Sequence, residues 1–390
     1  MYKGFIAAAV GVLAPLAAAA QGPVTAEAIV AAWQRRQDKV QSLKVEWTER
    51  QTYPKGSISK GIPQRWKDKA ALEGKPNLFD LFAPAEDTTI EVHATVLLDG
   101  AKMRYEHDRQ QFSFETKKFE LIPYVSTFDG TTAKLFNPQG GLMDHYPVGQ
   151  IQDIKRNFDT NNLFVKPVIQ HFRGIHPQML MHEAEDLKIT GRRVVIDGRA
   201  CVEIDWVKRR SDTVTNRLWL DPARDFAMAR YAILYDGRPA YKIDVRYRAD
   251  PDVGWAPSEW EVVLFFDDGS VEESVRSTVT AFAINLPLPA SEFDVEFPLG
   301  SFVDDVPNKT KHVIKYTGQK RVIERNELSG AEGYERWMET DQGEAVPGGP
   351  RRRWVPALTW IVVGLGATAL LACSLYRRRV RSASGGQSAP

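Results

Sequence analysis

The chain has 390 residues, with 51 Lys+Arg balanced by 50 Asp+Glu and 43% hydrophobic residues. All acids and all but eight bases fall between residues 21 and 350, so that stretch is mildly acidic, which argues against a nucleic-acid partner. Cys201 and Cys373 are the only cysteines and fall in different predicted segments, which excludes a disulfide within one domain; Cys201 reads as a small buried residue.

Met1-Tyr2-Lys3, an apolar run from Gly4 to Ala17 and then Ala18-Ala19-Ala20 have the layout of a secretory signal peptide cleaved after Ala20. The alternative, an N-terminal anchor, asks for a longer run. From Thr25 an amphipathic helix is predicted, with Thr25 as N-cap and Ala28, Ile29, Ala32, Trp33 and Val40 at helical spacing. Strand-like segments follow. Asp-Gly occurs at residues 99, 129, 197, 236 and 268, each time between extended flanks, and each pair predicts a hairpin turn. The flanks alternate. Tyr241, Ile243, Val245 and Tyr247 oppose Lys242, Asp244, Arg246 and Arg248; Ile90, Val92, Ala94, Val96 and Leu98 oppose Glu91, His93 and Thr95; Val202, Ile204 and Trp206 oppose Glu203 and Asp205. Period two with one apolar face predicts antiparallel sheet, not a parallel sheet buried on both sides.

Between about residues 149 and 187 the pattern turns helical around Val168–Phe172 and Met179–His182, broken by Pro167 and Pro177, and reads as a helical insertion. Extended pieces return at Lys311–Tyr316 and Arg321–Glu324, before a short helix at Tyr334–Met338. Residues 341–353 read as a linker. The uncharged run Trp354–Tyr376, bracketed by arginines, predicts a transmembrane helix of about 34 Å. With a cleaved signal the N-terminal domain, 21–340, is extracytoplasmic (periplasmic) and the short basic tail, 377–390, cytoplasmic.

Catalytic signatures are sparse. His171, His176, His182 and Glu183 are spaced by five and six residues across Pro177, so no single helical face collects them, and they read as a loop-and-helix surface more than a metal site. Asp267-Asp268 and Asp304-Asp305 read as solvated turns, His145 has no evident partner, and Asn308-Lys309-Thr310 is a glycosylation sequon only in a glycosylating host. These residues lead us to expect no catalytic residue, no metal and no cofactor. The remaining signal is aromatic: Trp206, Tyr231, Tyr241, Tyr247, Trp260 and Phe266 lie on apolar strand faces. They either pack a sheet against its helices or line an apolar cavity for an acyl chain, and the sequence leaves both open.

The run Arg217-Leu218-Trp219-Leu220-Asp221-Pro222, followed by Met228-Ala229-Arg230-Tyr231, resembles the strand, Asp-Pro turn, strand layout of LolA/LolB-like domains. The helix ending at Val40–Leu43 with Val45–Glu49 after it, and the late Val279–Asn285 with Pro287, Pro289, Phe293 and Phe297, are similar to the same superfamily. The resemblance is greatest to large secreted LolA-like proteins of the planctomycete type and spans about residues 25–303. It implies an α+β fold, a strongly curved open antiparallel sheet wrapped over helices. It also implies non-enzymatic binding of lipid or lipoprotein acyl chains, or an RseB-like sensor role through an envelope protein partner. A tethered chain can receive, hold or sense a ligand, but cannot shuttle one across a periplasm.

Overall fold

The computed structural model describes residues 24–57, 60, 86–113, 118–138, 146–153, 162–179, 182–206, 214–324, 327 and 333–338. The expected signal peptide, the transmembrane run 354–376, the tail and His145 lie outside the described residues. Among the described residues no helix is long and apolar enough to cross a membrane.

The first helix, α1 (Ala26–Lys39), starts where expected: the Thr25 hydroxyl accepts the Ala28 N–H at 3.2 Å. It buries Ile29, Ala32, Trp33 and Arg36. Sixteen strands then form one sheet. They are β1 (Ser42–Tyr53), β2 (Thr88–Asp99), β3 (Lys102–Ser113), β4 (Lys118–Phe128), β5 (Thr132–Asn137), β6 (Val148–Asp153), β7 (Leu187–Ile196), β8 (Arg199–Trp206), β9 (Val214–Asp221), β10 (Ala227–Tyr235), β11 (Arg238–Asp250), β12 (Gly254–Phe265), β13 (Val271–Ile284), β14 (Phe302–Asp305), β15 (Thr310–Ile314) and β16 (Lys320–Val322). Two further helices are α2 (Lys166–Arg173) and α3 (Tyr334–Met338).

Strands follow one another in space almost as in sequence, giving two meanders, β1–β6 and β7–β13. Two pairings depart from that order. The antiparallel pair β1–β13 joins the meanders, running from Leu43↔Ile284 to Thr52↔Ser274. The parallel pair β6–β14 attaches the last three strands. There Gly149 is pressed by the Phe297 ring, which would stand 2.7 Å from any Cβ at that position. The sheet edges, β16 and β7, do not pair with each other, so the sheet stays open.

Each of the five Asp-Gly pairs lies at the turn between two consecutive antiparallel strands. At residues 197–198 and 236–237 both members have positive φ, the geometry of a tight two-residue hairpin. At 129 and 268 the aspartate caps the turn instead. Asp129 Oδ1 accepts the Thr131 and Thr132 N–H groups at 2.8 Å, and Asp268 Oδ1 accepts Ser270 N–H at 3.0 Å.

Two expectations need correction. Residues 148–153 are a sheet strand, not the start of a helical segment, and Pro167 sits in the first turn of α2, where its missing N–H costs nothing. Moreover, α2 is no surface element: all eight of its residues are buried. Asp304 and Asp305 are likewise on a strand, β14. There Asp304 pairs with Lys311 at 2.6 Å and Asp305 accepts the Asn308 N–H at 3.2 Å.

The contacts of α2 show how much of the sheet it covers. From Arg173 it reaches the β2–β3 turn at Gly100 O (3.0 Å); from Phe172 it stacks on Phe282 of β13; from His171 it meets Tyr247 of β11 and the carbonyl of Trp255 on β12. Strands β2 and β11 are four positions apart in the sheet, about 19 Å if it were flat. A helix of eight residues is about 12 Å long, and with its Arg173 and His171 side chains it spans these four positions across the inner face of the sheet. A small second core, Val313, Ile323, Trp337 and Met338, closes α3 onto β15.

Candidate functional site

All six aromatic candidates lie in or just beyond inward-facing strand positions, but the structure divides them. Trp206, Tyr231, Tyr241, Tyr247 and Trp260 are buried in the main core. The Trp206 ring meets His182 edge-on at 4.3 Å, Tyr231 Oη donates to Asn216 Oδ1 at 2.6 Å, and Tyr247 Oη donates to the Met228 carbonyl at 3.0 Å. The Trp260 ring lies 5.3 Å from that of Trp47. These five lie inside the main hydrophobic core. Phe266 is different. It is half-buried just past the end of β12 and lines a cavity of about 380 Å³ with Pro54, Lys55, Ser57, Lys60 and Val271. Lys60 Nζ sits 4.6 Å from the Phe266 ring centre and bonds Asp268 at the hairpin tip.

The helices and this cavity occupy opposite ends of the central strands. Between them the helices meet one end of the strands: α2 reaches the start of β1, the β2–β3 turn and the start of β12 through Arg173 to Val40 and Gly100 and His171 to Trp255, and α1 reaches the start of β10 through Trp33 to Phe226. The cavity lies past the end of β1 and at the β12–β13 turn.

Between the two ends runs a group that the aromatic reading missed. The inner face of β1 begins apolar, with Leu43, Val45 and Trp47, and then continues in the same phase with Glu49, Gln51 and Tyr53. Glu49 is 1% exposed. Its carboxylate accepts Trp47 Nε1–H at 2.7 Å and Gln51 Nε2–H at 3.0 Å. Tyr53 Oη lies 3.5 Å from Gln51 Oε1 and shares a hydrogen bond with Glu273 on β13. Glu273 is 6% exposed. Burial above all pushes its carboxyl up to about 7, with Glu272 and Glu49 adding to the shift and Tyr53 opposing it. Burial likewise raises Glu49, against the two hydrogen bonds it accepts. Opposite Glu49 stands Ser277, and opposite Ser277 stands Trp260. The Ser277 hydroxyl and the Trp260 indole N–H are buried without a hydrogen-bond partner. The signal was present in the sequence, since Glu49, Gln51, Glu273 and Ser277 occupy the inward phase of alternating strands.

The histidines make separate contacts. His171 Nε2 pairs with the Trp255 carbonyl at 2.7 Å, and burial, with Arg36 nearby, holds it well below the usual imidazole range. His182 pairs with Gln170 Oε1 at 2.8 Å. His176 accepts the Gln178 N–H at 3.3 Å. No three metal-ligating side chains gather among the described residues. Cys201 is fully buried, and burial pushes its thiol up to about 11.

No protein-family model matches the chain, and no curated protein matches its sequence. Among solved structures it is similar to a LolA superfamily protein from Nitrosomonas europaea, at 11% identity and a TM-score of 0.39, over 70% of this chain and 99% of that one. It is also similar to a domain described as an outer membrane lipoprotein-sorting protein from Vibrio parahaemolyticus, at 9% identity and TM-score 0.38, over 69% and 97% of the two chains. A third likeness is to MucB, at 11% identity and TM-score 0.18, over 70% and 65%.

Proposed function

We propose that this chain is a non-catalytic binding protein that holds the apolar chain of a lipid or lipoprotein at the helix-free end of its half-barrel. The observation that carries this reading is the cavity of about 380 Å³ beside Phe266, at the strand ends that α1 and α2 do not reach. That volume falls in the range of small-molecule sites. The buried aromatics Tyr231, Tyr241, Tyr247, Trp206 and Trp260 keep the sheet curved by packing, and Phe266 is the contact offered to the ligand. Native mass spectrometry of the purified chain should show bound lipid, and a fluorescent fatty-acid probe should be displaceable. Phe266→Ala should weaken the probe by about three- to tenfold. A chain without lipid that binds no probe would end this reading.

The packed interior beneath α1 and α2, with Trp47, Trp260, Tyr231 and Phe172 almost fully buried, favours a second reading. In that reading an envelope protein partner docks on the outer face, in the manner of a sensor.

The chain acts, in either case, at a membrane. The run 354–376 anchors it, the domain lies outside the cytoplasm and the tail inside. Alkaline phosphatase fused after Gly348 should be active and after Ser382 inactive; activity of both fusions would reject this topology.

A further inference from the structure

The cavity beside Phe266 holds more hydrogen-bond donors than acceptors. Its acceptors are in use. The carbonyls of Pro54, Gly56, Phe266 and Ser270 each take a backbone N–H, from Ser57, Lys60, Gly269 and Phe266, at 2.9 to 3.0 Å. Two acids stand beside it, and both are engaged. Asp87 Oδ1 accepts the Lys55 N–H at 2.9 Å. Asp268 accepts the Ser270 N–H at 3.0 Å, the Ser270 hydroxyl at 2.7 Å and the Lys60 ammonium.

The donors are not used up. Ser57 lines the cavity, is 5% exposed, and its hydroxyl has no hydrogen-bond partner. A hydroxyl buried in that state costs stability until something fills the place. Lys60 Nζ carries three N–H groups and uses two, on Asp268 and on Ser270 Oγ at 2.6 Å. The Lys55 ammonium has no hydrogen bond or ion pair among the described residues. An ammonium group only donates, so what these side chains lack is an acceptor. Lys55 and Lys60 are balanced in formal charge by Asp87 and Asp268, so leftover donors, not net charge, select the ligand. The strongest acceptor for them is an anionic oxygen, because each N–H bond to it is charge-assisted. Room and entry are present. The cavity measures about 380 Å³, and Lys55, Lys60, Ser270 and Val271, all exposed, open it to solvent.

We propose that this cavity binds the anionic oxygen head of an amphiphile, a carboxylate or a phosphate, on the Ser57 hydroxyl and the remaining N–H groups of Lys55 and Lys60, with the alkyl chain against Phe266, Pro54 and Val271. This deepens the reading of the domain as a lipid-binding half-barrel, on which it rests, by naming the head group that the site selects. Ser57 is the deepest donor, and Lys55 and Lys60 meet the head from the solvent side.

Decanoate, decyl phosphate and the neutral 1-decanol test this on the full-length protein, by displacement of the uncharged fluorophore N-phenyl-1-naphthylamine at pH 8. At least one of the two anions should displace it at a concentration about tenfold below that of 1-decanol. Which anion leads tells whether a fatty-acid carboxylate or a lipid phosphate is the source of the head. Ser57→Ala should cut the anion preference about threefold. The double variant Lys55→Gln with Lys60→Gln should abolish it and leave 1-decanol nearly unchanged. Equal displacement by all three compounds, or a preference unchanged in both variants, would overturn the proposal. The comparison of compounds uses the wild-type chain alone, so an unstable variant leaves the test decisive. The same measurement separates the two readings. If all three compounds displace the fluorophore equally, only the anionic head site fails; if the fluorophore does not bind or none displaces it, the acyl-chain reading fails and the head site with it.

Discussion

Arg173→Ala should destabilise the domain by about 3–5 kcal/mol in a denaturant titration, the largest effect expected of any single polar substitution in it. The guanidinium is 1% exposed and ties three parts of the fold together. Its Nε donates to Gly100 O at 3.0 Å, Nη1 to Val40 O and Phe172 O at 2.8 Å, and Nη2 to Gln41 O at 2.7 Å. The first is the β2–β3 turn, and Val40 and Gln41 are the junction between α1 and β1. Alanine would remove this donor from the buried Val40 and Phe172 carbonyls and would cut the tie to Gly100, while Gln41 O keeps the Gly100 N–H at 3.1 Å. Burial brings the guanidinium down to about 10, so it stays charged at neutral pH and its hydrogen bonds remain the strong kind. Lysine should rescue little, because one ammonium cannot span the fork of acceptors. A loss under about 1 kcal/mol would show that water or backbone movement satisfies these carbonyls instead.

Glu273→Gln should stabilise the ligand-free protein at pH 8 by roughly 3 kcal/mol and flatten its stability between pH 4.5 and 7. The carboxyl titrates at about 7 in the fold and near its ordinary 4.5 in the unfolded chain. Within that window the folded chain holds a proton that the unfolded chain has lost. Raising the pH therefore favours unfolding, and the stability this group contributes below pH 4.5 is gone above pH 7. Glutamine keeps the shape and a hydrogen bond to Tyr53, and carries no charge to bury. Glu49, raised in the same direction, leaves a residual slope in the variant. Urea titrations of both chains at pH 5, 6, 7 and 8 measure this directly, and parallel curves would refute the argument.

The sheet was legible in the sequence wherever local chemistry determines it. Asp197-Gly198 and Asp236-Gly237 specify tight hairpins through their own backbone preferences. Strand β11 shows its buried face in the alternation from Tyr241 to Tyr247. The Asp221-Pro222 turn is also local: Asp221 caps Ala223 N–H at 3.0 Å before Asp225 and Phe226 reverse the chain with positive φ. What could not be read depends on distant partners. Residues Lys166–Arg173 carry Lys, Gln, His and Arg, a polar composition that suggests a surface, yet each of these finds a buried partner from another element. Gly149 lies in a strand between β5, where it faces Phe136, and the parallel partner β14, which arrives about 150 residues later and which no local pattern announces. The ladder on β1 was visible as Glu49 and Gln51 in the inward phase. Its burial, however, depends on β13, which brings Ser277 opposite Glu49 from far along the chain.

The joint between β1 and β13 also sets an order in time. Gln41 N–H bonds Asn285 Oδ1 across 244 positions, and the whole length of β1 waits for that partner. A chain made from its N-terminus completes β1 early and must keep Trp47 and Glu49 from other partners until β13 emerges. Closing so long a loop costs little more free energy than closing a shorter one, but it is slow, because many local pairings must be in place before the distant one pays back. The two meanders should therefore form first as separate halves and zip together last. In that interval the inner edge of β1 is a bare strand, and any factor that escorts the nascent protein would have its natural grip there.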